Sequence, residues 1–211
     1  MRRDAEPVLA LKVPATTANM GPGFDTFGMA LSLHNRFSVT DVLPEGRFTI
    51  RVTGEGAQEL GDVEKNLLVK SYCRACRGFA LESRTAIPLR RGLGSSSTAV
   101  VAGVMLANLL TDARAPEDEV LRLMTVIEGH PDNVVPCAVG GMTVSSWDGE
   151  RLCCVRLPPL PQDLQAVAVV PDCEVSTESA RAILPGEVPF RDAVLNVSRA
   201  ALLAAAWATG R

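Results

Sequence analysis

The sequence has few of the features that mark membrane, secreted or nucleic-acid-binding proteins. Its longest apolar runs, residues 98–110 and 200–208, are shorter than the roughly 20 residues that cross a bilayer. No apolar segment follows the charged residues 1–7, so a secretory signal is not expected and a cytoplasmic protein is predicted. The formal net charge of −3 provides no basic surface for nucleic acid or an anionic membrane. The partners that remain are small molecules or proteins.

Histidine is scarce, and the cysteines do not form a pattern. With only His34 and His130 available, a serine-hydrolase triad has few candidates, and residues 94–98 lack the closing glycine of a nucleophile elbow. The six cysteines are not spaced as a disulfide framework. Cys73 and Cys76 form a C-x-x-C with no second pair and no nearby histidine, so neither a metal nor a redox role is predicted.

Alternating apolar residues predict strands in the first half of the chain. One strand is expected at 9–13, and residues 37–39 and 48–52 flank a turn, which is typical of an antiparallel hairpin. A helix is predicted over 67–79 and a short strand over 80–87.

The second half predicts further helices and strands. The expected helices are 95–110, 116–127, 177–184 and 190–208, and the expected strands are a hairpin at 143–145 and 152–155 and a buried strand at 166–170. This mixture of hairpins and helices predicts an α+β fold. The proline-rich residues 158–161 are the best linker candidate, which predicts a domain at 1–160 and the start of a second at 161–211.

The segment most informative about chemistry precedes the helix at 95–110. It comprises Pro88, Leu89, Arg90, Arg91, Gly92, Leu93, Gly94, Ser95, Ser96, Ser97 and Thr98. Glycines let a backbone wrap closely around a phosphate chain, and the free N–H groups of a helix start point toward an anion. The serine hydroxyls could add hydrogen bonds or reach a phosphate-bound Mg²⁺. The segment lacks the lysine of a Walker A loop and the third glycine of a Rossmann fingerprint, and a serine-rich helix cap is the alternative.

Three stretches of the chain resemble the GHMP kinases, and homoserine kinases in particular. The family's Pro-x-x-x-Gly-Leu-Gly-Ser-Ser loop matches residues 88–96, and residues 14–25 and 128–136 match two further family stretches in the same order. The resemblance implies a two-domain architecture with a ribosomal-S5-domain-2-like N-terminal domain and an incomplete ferredoxin-like C-terminal domain. The family's third glycine-rich motif and a second substrate arginine have no counterpart here, so a chain truncated at its C-terminus is expected.

The resemblance also implies a site for an amino-acid substrate. Asn19 and Asp25 would hold the substrate, His130 would contact it, and Arg181 would pair with its carboxylate, for which a guanidinium fork is well suited. The alternatives are a turn residue for Asp25, a capping or core residue for His130 and an exposed helix residue for Arg181.

The same resemblance implies nucleotide, metal and catalytic residues. Residues 88–98 would bind ATP, Asn66 would line the adenine pocket or cap a helix, and Glu128 with Ser96 would bind Mg²⁺. Asp132 and Asn133 would lie near the attacking hydroxyl, with Asp132 as a candidate base. The hypothesis requires the glycine loop (residues 88–94) and the helix start that follows it, as far as Ser97, to face the 128–133 turn.

The activity implied is the ATP-dependent phosphorylation of the L-homoserine hydroxyl to O-phospho-L-homoserine, a step of threonine biosynthesis. ATP and Mg²⁺ are the expected cofactors and L-homoserine is the expected small-molecule partner, with a homodimer left open. One alternative is another GHMP kinase acting on a sugar or mevalonate-like alcohol. The other is a non-catalytic remnant that binds nucleotide only.

Overall fold

The computed structural model of the chain describes residues 6–72, 77–112, 114–159, 165–170 and 177–210. The strands are β1 (Leu9–Ala18), β2 (Phe27–Leu43), β3 (Phe48–Gly54), β4 (Gly78–Thr85), β5 (Met142–Trp147) and β6 (Leu152–Arg156). The helices are α1 (Ala57–Leu60), α2 (Leu67–Ser71), α3 (Ser95–Leu109), α4 (Glu117–Glu128), α5 (Pro131–Val139), α6 (Thr177–Ala182) and α7 (Phe190–Thr209).

These strands form one mixed sheet around the long strand β2. β1 runs antiparallel along one edge of β2, while β4 and β5 pair with separate stretches of its other edge. β3 lies parallel beyond β4, and β6 lies antiparallel beyond β5, as the Asp148-Gly149 turn predicts. The predicted α+β class is confirmed, whereas the division into two domains stays a prediction.

The predicted hairpin of residues 37–39 and 48–52 is wrong, because β4 lies between β2 and β3. Residues 44–47 do form a turn, but Pro44 and Arg47 accept hydrogen bonds from the amides of Gly78 and Phe79, which open β4. A period of two identifies the buried face of a strand, not the strand that pairs with it. The alternation therefore located the strands and missed the insertion between them.

Two other predicted elements differ from the structure. The helix of 67–79 is only α2, which ends at Ser71, and the Cys73–Cys76 pair lies outside the described residues. Residues 165–170 form no strand, and Val167 and Val169 are 83% and 87% exposed. An apolar run is buried as a strand only beside a partner strand, and no described strand lies beside this one.

Helix α3 is the centre of the main core. It packs against β1 and against α2, α4 and α5, and most of its small apolar side chains are fully buried. Burying one of its valine or leucine side chains contributes about 1.5–3 kcal/mol. Helix α5 was not predicted, although Pro131 stands at a favourable first-turn position and Gly140 follows its end.

The C-terminal helix α7 packs on the other side of β2. Its Trp207 donates a hydrogen bond of 2.8 Å from Nε1 to the carbonyl of Pro158. The apolar contact joins Ala200, Leu203, Ala204 and Trp207 to Phe27, Met29 and Met142. None of the described helices has the length and apolarity needed to cross a membrane.

Gly28 of β2 fixes the distance between the sheet and the start of α5. A Cβ at this position would lie 1.6 Å from the backbone oxygen of Asp132, which cannot move without shifting the helix. Gly28→Ala should therefore destabilise the fold by about 1–3 kcal/mol in urea unfolding. Gly61→Ala is the matched control, since its Cβ would meet only the Ala57 oxygen at 3.4 Å and its φ is −75°. Equal stability of the two variants would contradict this account.

Candidate active site

The predicted site residues line two adjoining cavities. A cleft of about 810 Å³ is bordered by the glycine loop, the 128–133 turn, Asp25 and Arg181. Asn66, Leu89 and Thr98 instead line a smaller pocket of about 240 Å³, and Arg90, Ser95 and Ser96 border both cavities. The expected juxtaposition of the loop and the 128–133 turn is therefore confirmed.

The glycine loop changes into helix α3 at Gly94. Gly92 and Gly94 have φ angles of 69° and 64°, in the left-handed region that glycine adopts without strain. A Cβ on Gly94 would lie 2.0 Å from Oγ1 of Thr16, so glycine is also required there for space. Gly94 supplies no side-chain cap to α3, which leaves the helix start suited to an anion.

Ser97 is the serine that contacts Glu128. Its buried hydroxyl donates a hydrogen bond of 2.6 Å to Oε1 of Glu128, which is the last residue of α4. Ser96, the predicted metal partner of Glu128, is exposed on the same cleft. The structure thus adds a second hydroxyl to the predicted pair.

Asn133 is held by a residue outside the predicted site. The buried hydroxyl of Thr16 donates a hydrogen bond of 2.7 Å to Oδ1 of Asn133. The amide of Thr16 also donates to the Leu93 carbonyl at 3.1 Å. Thr16 therefore links strand β1 both to the glycine loop and to α5.

His130 and Asp132 form a close pair at the start of α5. Nδ1 of His130 lies 2.6 Å from Oδ1 of Asp132, whose side chain is 1% exposed. This hydrogen bond is the main reason that the pKa of His130 is raised above 6.5, and burial opposes it. His130 occupies the N-cap position of α5, but its side chain does not cap the helix.

Asp25 and Arg181 face each other on the same cleft, and the Asp25 carboxylate lies within 4.8 Å of ligand atoms of His130 and Asp132. The guanidinium makes two hydrogen bonds to the Asp25 carboxylate, of 2.5 and 3.0 Å, and lies 5.3 Å from the centre of the Phe24 ring. The Asp25 hydrogen bond raises the pKa of Arg181 above its ordinary value. Asn19 orders this loop by accepting a hydrogen bond of 3.1 Å from the Asp25 amide.

Asn66 is a helix cap, which is one of the two roles predicted for it. Its Oδ1 accepts from the Leu68 amide at 3.0 Å, and its Nδ2 donates to the Leu60 carbonyl at 2.7 Å. The same residue lines the smaller pocket, whose walls are largely apolar and whose edge carries the paired Arg90 and Glu59. Its role beside adenine stays a prediction.

Two inward-facing residues of the site region, Thr16 and Asn35, are not among the predicted site residues. Thr16 lies within the 14–25 motif, of which only Asn19 and Asp25 are predicted site residues. Asn35 is a buried polar residue of β2 that lies two residues before the predicted strand of 37–39. Asn35 continues the alternation of Phe37 and Val39 toward the N-terminus, and a buried amide must find partners, so this position was the available signal.

The geometry agrees with what comparisons with known proteins found. Residues 62–141 match the family model described as the GHMP kinases N terminal domain. The chain is 40% identical to the homoserine kinase of Carboxydothermus hydrogenoformans over 207 residues, which are 95% of this chain and 67% of that protein. The chain belongs to the homoserine kinase family.

Two further relatives support this assignment to the homoserine kinases. The Moorella thermoacetica homoserine kinase is 41% identical over 95% of this chain and 69% of its own. The crystal structure of the Cytophaga hutchinsonii homoserine kinase has a TM-score of 0.78 at 28% identity, over 100% of this chain and 70% of that one. The predicted resemblance and fold are confirmed, and membership of this kinase family implies an ATP-using transferase with a small-molecule substrate.

The His130–Asp132 pair should make stability depend on pH. Because the pKa of His130 is raised in the folded protein, the pair stabilises fully below pH 6.5, and the contribution is lost as the pH rises through the raised pKa. An NMR titration of the ring should place the His130 midpoint above 6.5, and Asp132→Asn should lower that midpoint.

A His34→Gln variant assigns the two histidine signals in this titration. A wild-type midpoint at or below 6.5 would show that the hydrogen bond does not control the ring.

Proposed function

We propose that this chain phosphorylates the side-chain hydroxyl of L-homoserine with ATP, giving O-phospho-L-homoserine for threonine biosynthesis. The observation that carries the proposal is the shared cleft, where the glycine loop faces the 128–133 turn and the Ser97–Glu128 hydrogen bond joins them. Phosphoryl transfer depends mostly on positioning and on charge neutralisation. The glycine loop and the 128–133 turn, on the two sides of this cleft, together supply both.

The phosphate chain of ATP is placed against the start of α3. Backbone amides of residues 92–97 bind it, because Gly92 and Gly94 let the backbone approach closely and the helix dipole favours negative charge there. Arg91 borders the same cleft and adds positive charge, and Arg90 borders it with its guanidinium paired to Glu59. The adenine occupies the smaller pocket, where Asn66 and the side chains of Leu67 and Leu89 form part of the wall.

The residues around Glu128 fit a magnesium ion. Carboxylate and hydroxyl oxygens are ligands of the kind Mg²⁺ prefers, and Glu128, Ser96 and Ser97 supply them on the cleft. The ion, when bound, neutralises charge on the phosphates. Glu128 and Ser96 are the proposed ligands, and Ser97 orients the Glu128 carboxylate through its hydrogen bond.

The Asp25–Arg181 pair suits an acceptor that carries both charges. A zwitterionic amino acid can present its ammonium to Asp25 and its carboxylate to Arg181, so neither side chain is left with an unpaired charge. A sugar or a mevalonate-like alcohol cannot replace both partners in this way. Asn19 supports the arrangement by ordering the loop that carries Asp25.

The groups nearest the reacting hydroxyl are those at the start of α5. Asp132 is the candidate acceptor for the hydroxyl proton, and Asn133, held by Thr16, hydrogen-bonds near the point of transfer. His130 contacts the substrate while its Nδ1 is held by Asp132. A loose transition state needs little base assistance until late, so positioning by these groups contributes more than proton removal.

The domain division and the location are part of the same proposal. We place a nucleotide-binding domain at 1–160 and the start of a second domain at 161–211, with Arg181 reaching back to Asp25 across that division. The proposal places the protein in the cytoplasm and does not decide between a monomer and a homodimer.

An ADP-release assay tests the activity. Homoserine with ATP and Mg²⁺ should release ADP, and a sugar or mevalonate should not. The assay should be paired with nucleotide-dependent thermal stabilisation, because ATP stabilisation without any product would favour the non-catalytic alternative. The chain spans 67–70% of the relatives quoted above, so a fusion with the remaining third of the Moorella thermoacetica protein is run in parallel.

Arg181→Met tests the acceptor side of the site. Losing two charge-assisted hydrogen bonds to the substrate carboxylate should raise KM for homoserine by about tenfold to a hundredfold. The control substrate is 3-aminobutan-1-ol, which replaces the carboxylate with a methyl group and should be used equally well by the variant and the wild type. An equal loss with both substrates would mean that Arg181 does not read the carboxylate.

A further inference from the structure

Asn35 is a buried amide in the middle of strand β2, behind the glycine loop. Its side chain is 1% exposed, and its backbone pairs with Val13 of β1. A buried amide is costly unless its polar atoms are hydrogen-bonded, so the partners of Asn35 define what it does.

The partners of Asn35 lie on both sides of the loop. Its Oδ1 accepts hydrogen bonds from the amides of Ala86 and Ile87, at 2.9 and 3.2 Å. Its Nδ2 donates to Oγ1 of Thr98 at 3.0 Å. Because two backbone N–H groups can point only at an acceptor, the orientation of the Asn35 amide is fixed.

The Thr98 hydroxyl continues this chain of hydrogen bonds. It accepts from Asn35 and donates to the Ser95 carbonyl at 2.7 Å, and Thr98 is 0% exposed. Thr98 was predicted to bind ATP, but its hydroxyl is occupied on the inner side of the helix.

One side chain therefore holds both ends of the glycine loop. Ala86 and Ile87 come just before Pro88, where the loop starts, and Thr98 lies in the first turn of α3, where the loop has ended. The residues between them include two glycines with positive φ, which do not hold a conformation on their own. Fixing the span of such a segment lowers the entropy that it loses on binding a ligand.

We propose that Asn35 is a positioning residue for the nucleotide triphosphate, acting through Ala86, Ile87 and Thr98. It does not touch the phosphates. It holds the loop and the first turn of α3 at the separation in which the backbone amides of residues 92–97 converge on one anion. The ligand named here rests on the proposed function, whereas the ordering of the loop rests on the hydrogen bonds alone.

Thr98→Val is the variant that tests this role with the least disturbance, because valine matches the shape of threonine and removes the hydroxyl. Losing the Asn35 contact should raise the Kd for ATP about tenfold, the effect of one hydrogen bond, and should raise the Kd for inorganic tripolyphosphate by a similar factor, because tripolyphosphate binds the loop without entering the smaller pocket that Thr98 also lines. In the ligand-free protein, amide hydrogen exchange of residues 89–97 should become faster. Thr98→Ser keeps the hydroxyl and should restore most of the ATP affinity.

Two further variants control the result. Thr125→Val removes a buried threonine hydroxyl that donates to the Leu121 carbonyl in α4, and it should leave both the loop exchange and the ATP affinity unchanged. Asn35→Leu should repeat the effect of Thr98→Val, and the double variant should lose no more ATP affinity than Asn35→Leu alone. If Asn35→Leu does not fold, Thr98→Val and its serine rescue still decide the matter.

The outcomes separate this role from the proposed function. Unchanged loop exchange and unchanged ATP affinity in Thr98→Val, with only a lower Tm, would overturn the positioning role. ATP binding without transfer to homoserine would contradict the proposed function and leave the positioning role standing. Failure of the wild-type chain to bind ATP would overturn both.

Discussion

The close contact between Gly94 and Thr16 is the constraint on which the site depends. No side chain fits at residue 94, because a Cβ would lie 2.0 Å from the Thr16 hydroxyl. That hydroxyl donates to Asn133, and the Thr16 amide donates to Leu93. The start of α3, the end of the glycine loop and the start of α5 therefore meet around one threonine of β1, and a displacement of any one of them moves the others.

The charges of the cleft are arranged so that each acidic group has a partner before any ligand enters. Asp25 is paired with Arg181, Glu128 accepts from Ser97, and Asp132 binds His130. Without these partners, three carboxylates on one cleft would repel one another and the polyphosphate. The partners differ in kind, because a guanidinium can be exchanged for a substrate ammonium, whereas a serine hydroxyl only orients the carboxylate that it contacts.

The sequence predicted the local features of this arrangement and missed those that depend on long-range pairing. The start of α3 followed from glycine, serine and a small apolar run, and the β5–β6 hairpin followed from Asp148-Gly149. The insertion of β4 beside β2 did not, because alternation carries no information about the neighbouring strand. The Ser97–Glu128 contact joins residues 31 apart through the packing of two helices, so no local pattern could distinguish Ser97 from Ser96.

The two sides of the cleft are specified in different ways, and this separates donor from acceptor recognition. The donor side is mostly backbone from one continuous segment, whose shape depends on glycines and on buried anchors at Asn35 and Thr16. The acceptor side is made of side chains from three distant segments, which carry Asp25, His130 and Arg181. Backbone amides bind any polyphosphate, whereas side-chain charges distinguish one acceptor from another. A change at Asp25 or Arg181 can therefore alter the acceptor while the anchors behind the loop keep the phosphate site intact.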